Sequence, residues 1–305
     1  LGIVAGSRLN LPEVLALVTA VRRDGETREQ DIVLRRPPLG AGQLEARVCA
    51  AALSPALALV IVEDLSEARR LDAVRRDFVA NVSHELKTPV GALSLLAEAV
   101  QSASDDPDAV QRFAARMQVE SQRLTNLVND LVDLSRLQSV DPMKSAEPVE
   151  IDRVVSEAVD ATKLLASARE IDVAVGERSG AVVHGDEPQL VTALRNLIMN
   201  AIVYSPAGTR VAVATRSVDG LVEISVKDQG IGIPPDEQSR IFERFYRVDP
   251  ARSRITGGTG LGLAIVKHVC ANHGGECTVW SVPGEGSTFT LRLPQAPIPE
   301  GDLEP

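Results

Sequence analysis

Residues 78–89 read FVANVSHELKTP, and this stretch sets the architecture because it lies inside a long helical pattern. Apolar residues recur at steps of three and four from residue 71 to residue 100, which predicts one buried stripe on an amphipathic helix. His84 lies two residues from Val82 and two from Leu86. Its imidazole is therefore expected about 200° around the helix from either side chain. The pattern places His84 on the solvent side of the helix rather than in a core.

The residues next to His84 suit covalent chemistry on its ring. Glu85 is adjacent, and its carboxylate can hold one ring nitrogen and leave the other as a neutral nucleophile. Thr88 follows one turn later, which puts its hydroxyl on the same face as His84. Pro89 lacks a backbone N–H, so a kink in the helix is expected there. The ordinary alternative is a lone surface histidine on a charged helix, and the surrounding motif argues against it.

A second helix is predicted after a turn at residues 105–107, with proline at its first helical position. Its apolar residues fall at the a and d positions of a heptad repeat. They are Val110, Phe113, Met117, Leu124, Leu127, Leu131 and Leu134. Stripes of this length leave apolar surface bare in a single hairpin, and two hairpins that pair into a four-helix bundle cover it. The sequence therefore predicts a homodimer.

The segments on either side of the hairpin are predicted to mix helices and strands. In residues 1–63, a helix is expected at 11–22 and strands at 31–36, 44–52 and 57–63. After a polar linker at 139–148, helices are expected at 151–167, 187–204 and 262–272. Strands are expected at 171–175, 181–184, 210–217, 222–228, 276–282 and 287–293. The proline-containing tail at 296–305 is expected to be disordered.

Three polar motifs in the C-terminal part suit a nucleotide. Asn196 and Asn200 lie one turn apart on a predicted helix, and amide oxygens are ligands for a hard cation such as Mg²⁺. A strand ends at Asp228 and continues as DQGIG (residues 228–232). A carboxylate there can accept from the adenine amine, and the glycines let backbone approach the ring. GGTGLGL at residues 257–263 opens a helix, whose first N–H groups favour phosphate. It has neither the P-loop pattern nor the glycine spacing of a Rossmann turn.

Composition excludes several other classes of protein. The 305-residue chain carries 32 Lys plus Arg against 42 Asp plus Glu, a formal charge of -10, which disfavours binding to nucleic acid. The 3% aromatic content argues against a stacking surface for single strands. Three cysteines form no disulfide framework and fit a reducing compartment. The longest apolar run, at residues 50–62, is too short to span a bilayer. Because the chain begins with Leu1 rather than Met, a membrane is expected only through a segment outside it.

FVANVSHELKTP closely resembles the phospho-acceptor box of sensor histidine kinases. Five later motifs resemble, in the same order, the ATP-binding domain that these kinases share with Hsp90-type chaperones, gyrase and mismatch-repair ATPases. They are NLIMNA (196–201), DQGIG (228–232), FERFYR (242–247), GGTGLGL (257–263) and GEGST (284–288). The chain is most similar to the phosphate-responsive sensor kinases of actinobacteria, and the resemblance covers residues 65–294.

The resemblance implies a sequence of reactions at the hairpin. His84 is implied to be phosphorylated from ATP, with Glu85 as its general base. The phosphoryl group is then implied to pass to an aspartate of a response regulator. Thr88 is implied to orient water when the kinase dephosphorylates that partner.

For the C-terminal domain, the resemblance implies ATP and Mg²⁺ as cofactors, with Mg²⁺ held by Asn200 and adenine bound by Asp228. The other residues expected near the nucleotide are Asn196, Tyr204, Gly230, Gly232, Arg247, Gly258, Gly260, Leu261, Gly262, Leu263 and Thr288.

A mobile lid over the nucleotide is expected at residues 248–257, where Arg252 and Arg254 fit a loop that becomes ordered on nucleotide binding. The family often has Lys or Arg three residues after the Mg²⁺ asparagine, and this chain has Val203 there. Arg247 or the lid arginines are expected to supply the missing positive charge.

The resemblance divides the chain into four parts. They are a partial PAS-like sensor unit at 1–63, a dimerisation and phosphotransfer hairpin at 64–140, an α/β sandwich ATP-binding domain at 146–295, and the tail at 296–305. The PAS likeness depends on VIVEDLS (60–66), where a strand runs into the long helix. The expected whole is the cytoplasmic portion of a membrane-anchored dimeric kinase of mixed α and α+β architecture. Two alternatives stay open: an ATPase or serine kinase with the same nucleotide fold, and a non-catalytic dimeric scaffold that binds ATP and a partner.

Overall fold

The computed structural model describes residues 11–35, 43–54, 56–139, 146–249 and 258–296. The chain divides into two compact units, residues 1–83 and 84–305. Helix α2 (Ser66–Ser102) contributes residues to both units. Among the helices of the described residues, none combines the length and the hydropathy needed to cross a bilayer.

The first unit contains a three-stranded antiparallel sheet and one helix packed on it. Its elements are α1 (Pro12–Asp24), β1 (Arg28–Arg35), β2 (Gln43–Ala52) and β3 (Ala58–Asp64), paired in the order β1-β2-β3. Val14 of α1 packs against Leu44 and Val48 of β2 in a small buried core. α1 ends at Gly25, whose φ of 77° favours glycine. The predicted helix and strands are confirmed, with β1 starting at Arg28 rather than at residue 31. The likeness to a PAS domain stays a prediction.

The second unit begins with the predicted helical hairpin, which is confirmed as α2 followed by α3 (Pro107–Ser139). α2 continues through Pro89 as one helix. The apolar side chains of α3 that are buried in this unit are Ala109, Leu127, Leu134 and Leu137. Val90 of the predicted stripe on α2 is instead 51% exposed, and Met117 and Leu124 of the stripe on α3 are half-buried, so the hairpin presents part of its apolar stripe to solvent.

An α/β sandwich completes the second unit and confirms the predicted fold class of this region. Its strands are β4 (Glu147–Glu150), β5 (Asp172–Val175), β6 (Val182–Gly185), β7 (Arg210–Val218), β8 (Leu221–Lys227), β9 (Glu276–Val282) and β10 (Gly286–Pro294). Its helices are α4 (Ile151–Ala168), α5 (Glu187–Tyr204) and α6 (Gly262–Asn272). Five strands form one sheet in the order β5-β7-β8-β10-β9, and β4 pairs with β6. Leu194 and Ile198 of α5, Ile265 of α6 and Leu291 of β10 are fully buried in the core between helices and sheet.

Two boundaries differ from the sequence predictions. The predicted linker at 139–148 ends inside β4, whose Pro148 lies opposite His184 of β6. This strand has no apolar alternation and forms because β6 supplies the backbone partners, and proline is tolerated at such an edge. Ala296, at the start of the predicted tail, is 4% exposed and donates its N–H to the Val182 carbonyl at 2.8 Å. The remaining tail, 297–305, lies outside the described residues.

The start of α5 is fixed by contacts that position the site on this helix. Asp186 caps the helix, since its carboxylate accepts from the Gln189 N–H at 3.0 Å. The Asp186 N–H in turn donates to Nε2 of His273, which is buried at the end of α6. A Cβ at position 185 would collide with the His273 ring, so the glycine there is required. These contacts fix the start of α5 against the end of α6.

Candidate functional site

A cavity of about 520 Å³ opens between α5, the end of β8, the start of α6 and the middle of α3. Most of the nucleotide residues predicted from the sequence line it. They are Asn196, Asn200, Tyr204, Asp228, Gly232, Arg247, Gly258, Gly260, Gly262 and Leu263. Residues that are scattered over about a quarter of the chain therefore meet around one space large enough for a small ligand.

Three predicted residues do not line this cavity. Gly230 donates its backbone N–H to Oδ1 of Asp228 at 2.8 Å, so it positions a lining residue without lining the cavity itself. Leu261 is fully buried where α6 begins. Thr288 lies opposite Lys227 in the sheet, and the neighbouring Ser287 lines the cavity in its place. Successive residues of a strand point to opposite faces, which places Thr288 on the face of β10 away from the cavity.

Asp228 is a buried carboxylate with one oxygen already engaged. Its Oδ1 accepts from the backbone N–H groups of Gly230 at 2.8 Å and Ser287 at 3.1 Å. Burial raises the pKa of the Asp228 carboxyl, and these two bonds offset part of that rise. The other oxygen, Oδ2, is left to accept a hydrogen bond from a ligand in the cavity.

Asp228→Asn is expected to reduce adenosine affinity about tenfold or more. The asparagine amide would face the adenine amine with an N–H, and two buried N–H donors that face each other leave both without an acceptor. Asn keeps the shape and the Oδ1 acceptor, so the fold should be retained. The measurement is calorimetric titration of both proteins with adenosine and guanosine. Equal affinity of the unchanged protein for the two nucleosides would contradict the assignment.

Asn196 and Asn200 present amides to the cavity from adjacent turns of α5. Nδ2 of Asn196 donates to the Thr192 carbonyl at 3.0 Å, so its Oδ1 is the atom available to a ligand. Oδ1 also lies next to Gly262, where a Cβ would approach it to 3.0 Å. Amide oxygens of this kind, completed by phosphate oxygens and water, fit the octahedral oxygen shell of Mg²⁺.

The glycine segment before α6 is shaped by close backbone contacts. Gly260 has φ 75°, and a Cβ on it would lie 2.8 Å from the Cα of Phe245. Its carbonyl accepts the Phe245 N–H at 2.8 Å. This segment continues into α6, so the free N–H groups of the first turn lie beside the cavity and favour an anion there.

One wall of the cavity comes from α3, which the sequence analysis did not assign to the site. Asn126, Asn129 and Asp130 line it. The Thr259 hydroxyl donates to Oδ2 of Asp130 at 2.5 Å, and this contact links α3 to the glycine segment. Burial raises the pKa of the Asp130 carboxyl, and the nearby Asp133 raises it further. Polar residues on a helix face carry no signal in the sequence that would separate this wall from solvated surface.

Asp130→Asn is expected to raise the thermal unfolding midpoint near pH 7. The pKa of the Asp130 carboxyl is higher in the folded protein than in the unfolded chain. The stability that this carboxyl contributes is therefore present in acid and is lost as the pH rises through the folded-state pKa. The amide keeps an acceptor for Thr259 without the buried charge. The gain should therefore shrink as pH is lowered towards 4, measured by calorimetry with the exposed Asp160→Asn as control. A lower midpoint at pH 7 would contradict this account.

His84 and Thr88 are exposed on α2, as predicted, and Glu85 is partly buried beside them. The Thr88 hydroxyl donates to the His84 backbone carbonyl at 3.2 Å, so the two residues share one face. Glu85 was expected to hold the His84 ring, and within the described residues no hydrogen bond joins them. Its Oε2 instead accepts from Arg247 at 2.9 Å and lies 3.5 Å from Arg123. A charged guanidinium binds a carboxylate more strongly than a neutral imidazole does.

Arg247 therefore connects the two predicted sites. It lines the cavity and is only 10% exposed in its side chain, yet it binds the residue next to His84. Of the predicted lid, Val248 and Asp249 line the cavity. The rest of the lid, with Arg252 and Arg254, lies outside the described residues.

Comparison with known proteins identifies both regions. Residues 185–297 match the model for histidine kinase-, DNA gyrase B- and HSP90-like ATPases, and residues 74–140 match the His Kinase A (phospho-acceptor) domain. Sensor-like histidine kinase SenX3 of Mycolicibacterium smegmatis is 56% identical over 243 residues, which cover 80% of this chain and 63% of SenX3. Phosphate regulon sensor protein PhoR of Pseudomonas aeruginosa is 36% identical over 248 residues, 80% of this chain and 55% of PhoR.

A solved structure also has this fold. Histidine kinase ThkA, crystallised in complex with response regulator protein TrrA, aligns with a TM-score of 0.59 and 17% identity over 94% of this chain and 85% of that one. At this identity the match describes the fold. The chain spans less than two thirds of the length of both SenX3 and PhoR.

Proposed function

Because the chain belongs to the sensor histidine kinases, we propose that it transfers the γ-phosphoryl group of ATP to a ring nitrogen of His84. The observation that carries the proposal is the bond between Arg247 and Glu85. This bond places Glu85, the residue next to His84, at the edge of the cavity that the nucleotide motifs line. The phosphoryl group passes through a loose transition state, so catalysis depends mainly on positioning and charge.

The nucleotide is proposed to bind with adenine against Asp228 and its phosphates along Gly258–Leu263. Asn196 and Tyr204 lie between these ends and contact the sugar and phosphates. Mg²⁺ held at Asn200 would neutralise charge on the phosphate oxygens. The buried, half-engaged carboxylate of Asp228 and the open N–H groups before α6 support this orientation.

Glu85 is proposed to act as the general base. Arg247 and Arg123 both approach its Oε2, and this arrangement leaves Oε1 to accept the proton from His84. The two guanidinium groups also orient the Glu85 carboxylate on the helix. Glu85 takes the proton from one ring nitrogen while the other ring nitrogen attacks the γ-phosphorus and ADP leaves, so the phosphorylated ring is neutral.

A response regulator is proposed as the partner that takes the phosphoryl group from His84 onto an aspartate. Thr88 is proposed to orient a water molecule when the partner is dephosphorylated. The exposed positions of both side chains on one helix face support access by a protein partner.

Further proposals concern the whole protein. The exposed Val90 and the half-buried Met117 and Leu124, all members of the apolar stripes, support a homodimer whose hairpins pair in a four-helix bundle. The first unit is proposed to be part of a PAS-like sensor. SenX3 and PhoR are longer than this chain, which supports a cytoplasmic portion of a membrane-anchored kinase.

Incubation of the protein with γ-³²P-ATP and Mg²⁺ tests the activity against its alternatives. We expect protein-bound phosphate that is labile in acid and stable in alkali, as a phosphorylated imidazole is. Acid-stable phosphate would indicate a serine kinase of the same fold. Nucleotide binding without any labelling would indicate the non-catalytic scaffold.

A further inference from the structure

The cavity contains few positive charges for a ligand as acidic as a nucleoside triphosphate. Among the described lining residues, just Arg195 and Arg247 are cationic. Arg247 is already paired with Glu85 at 2.9 Å. The position where the family often has Lys or Arg is Val203, which lines the cavity without a charge. Among the described lining residues, Arg195 is therefore the cation that no short ion pair engages.

Arg195 occupies the same face of α5 as this apolar position. Arg195, Met199 and Val203 follow one another at steps of four residues, and all three line the cavity. The amide pair Asn196 and Asn200 lies on the adjoining positions of the same turns. Val203 lies two turns, about 12 Å, further along the axis of α5, so the guanidinium of Arg195 offers its charge at the other end of this row of cavity residues.

The contacts of Arg195 leave its charge weakly compensated. Its Nε is buried and has no hydrogen-bond partner among the described residues. Its nearest acidic partner is Asp133 on α3, and the closest N–O separation is 3.9 Å, beyond a hydrogen bond. A buried N–H without an acceptor destabilises the folded state unless a ligand supplies one.

We propose that Arg195 binds the polyphosphate of the nucleotide and replaces the cation that Val203 lacks. Phosphate oxygens accept two parallel N–H bonds from a guanidinium, and they would satisfy Nε together with one terminal nitrogen. Because its pairing with Asp133 is weak, the Arg195 side chain stays near the cavity but is not fixed in one position. This inference rests on the proposed function, since it assumes an adenine nucleotide in the cavity.

Titration of the full chain with Mg²⁺-ATP and with adenosine, by calorimetry, tests the proposal. Arg195→Gln is expected to weaken ATP binding about tenfold or more, because a charged hydrogen-bond pair is lost, and to leave adenosine binding unchanged. Arg195→Lys keeps the charge but loses the paired donors, so its ATP affinity should be intermediate. The double variant Arg195→Gln/Val203→Lys should regain most of the loss.

Asp133→Asn is the matched control, because it removes the nearest acidic partner and keeps Arg195. Its ATP affinity should equal or exceed that of the unchanged protein. Equal ATP affinity with and without Arg195, an equal loss in Asp133→Asn, or a parallel loss of adenosine binding would each overturn the inference. Failure of the unchanged protein to bind either ATP or adenosine would instead overturn the proposed function.

Discussion

His84→Gln should incorporate no phosphate from γ-labelled ATP, while its affinity for ATP stays close to that of the unchanged protein. Glutamine has no ring nitrogen to attack phosphorus, and it is a good helix former, so α2 should be preserved. His84 is exposed and is not among the residues that line the cavity, which explains why binding and labelling separate. The measurement is autoradiography of the labelled protein beside calorimetric titration with ATP.

The chain offers a matched control for this experiment. His184 is also an exposed histidine, placed on β6 away from α2. His184→Gln should label like the unchanged protein. Labelling that survives in His84→Gln would show that another residue accepts the phosphoryl group.

Thr88→Ala should lose dephosphorylation of the response regulator by about 10²-fold, the usual worth of a group positioned for proton transfer or for orienting water. Autophosphorylation of His84 should stay within a few-fold of normal. Among the described residues, the Thr88 hydroxyl bonds only to the His84 carbonyl of its own helix. Alanine is the stronger helix former, so no loss of structure is expected. The measurement is the decay of purified phosphorylated regulator after the variant is added.

Ser94→Ala separates this role from a general effect on α2. The Ser94 hydroxyl makes the same kind of bond, to the Val90 carbonyl one turn back at 3.1 Å. Its removal should leave both activities unchanged. Normal dephosphorylation by Thr88→Ala would exclude the role given to Thr88, and loss of both activities would point to a structural one.

Elements with strong local signals were predictable from the sequence. α5 and α6 were predicted with the bounds that the structure has, because apolar spacing runs through both helices, Asp186 caps the start of α5, and Gly274 follows the end of α6. β4 was missed because nothing in its own residues favours a strand, and its pairing with β6 forms only in the fold. The resemblance also implied Thr288 near the nucleotide, and the structure places the neighbouring Ser287, rather than Thr288, on the cavity side of β10.

Contacts between distant segments could not be read from the sequence. Arg247 and Glu85 are 162 residues apart, and no local pattern couples them. The same holds for Asp130 and Thr259, 129 residues apart, whose bond makes α3 a wall of the cavity. The motifs predict the chemistry of each site, whereas the contacts between the sites depend on side chains that the sequence does not distinguish from ordinary helix surface.

If the nucleotide binds as proposed, the bond between Asp130 and Thr259 also makes its affinity depend on the register of α3. A shift of this helix along its axis by one residue is about 1.5 Å, with about 100° of rotation between successive side chains. Either displacement exceeds what a 2.5 Å hydrogen bond tolerates, so a small movement of α3 would break this contact with the glycine segment. The hairpin that carries His84 would then be coupled to the nucleotide through this bond as well as through the bond between Arg247 and Glu85.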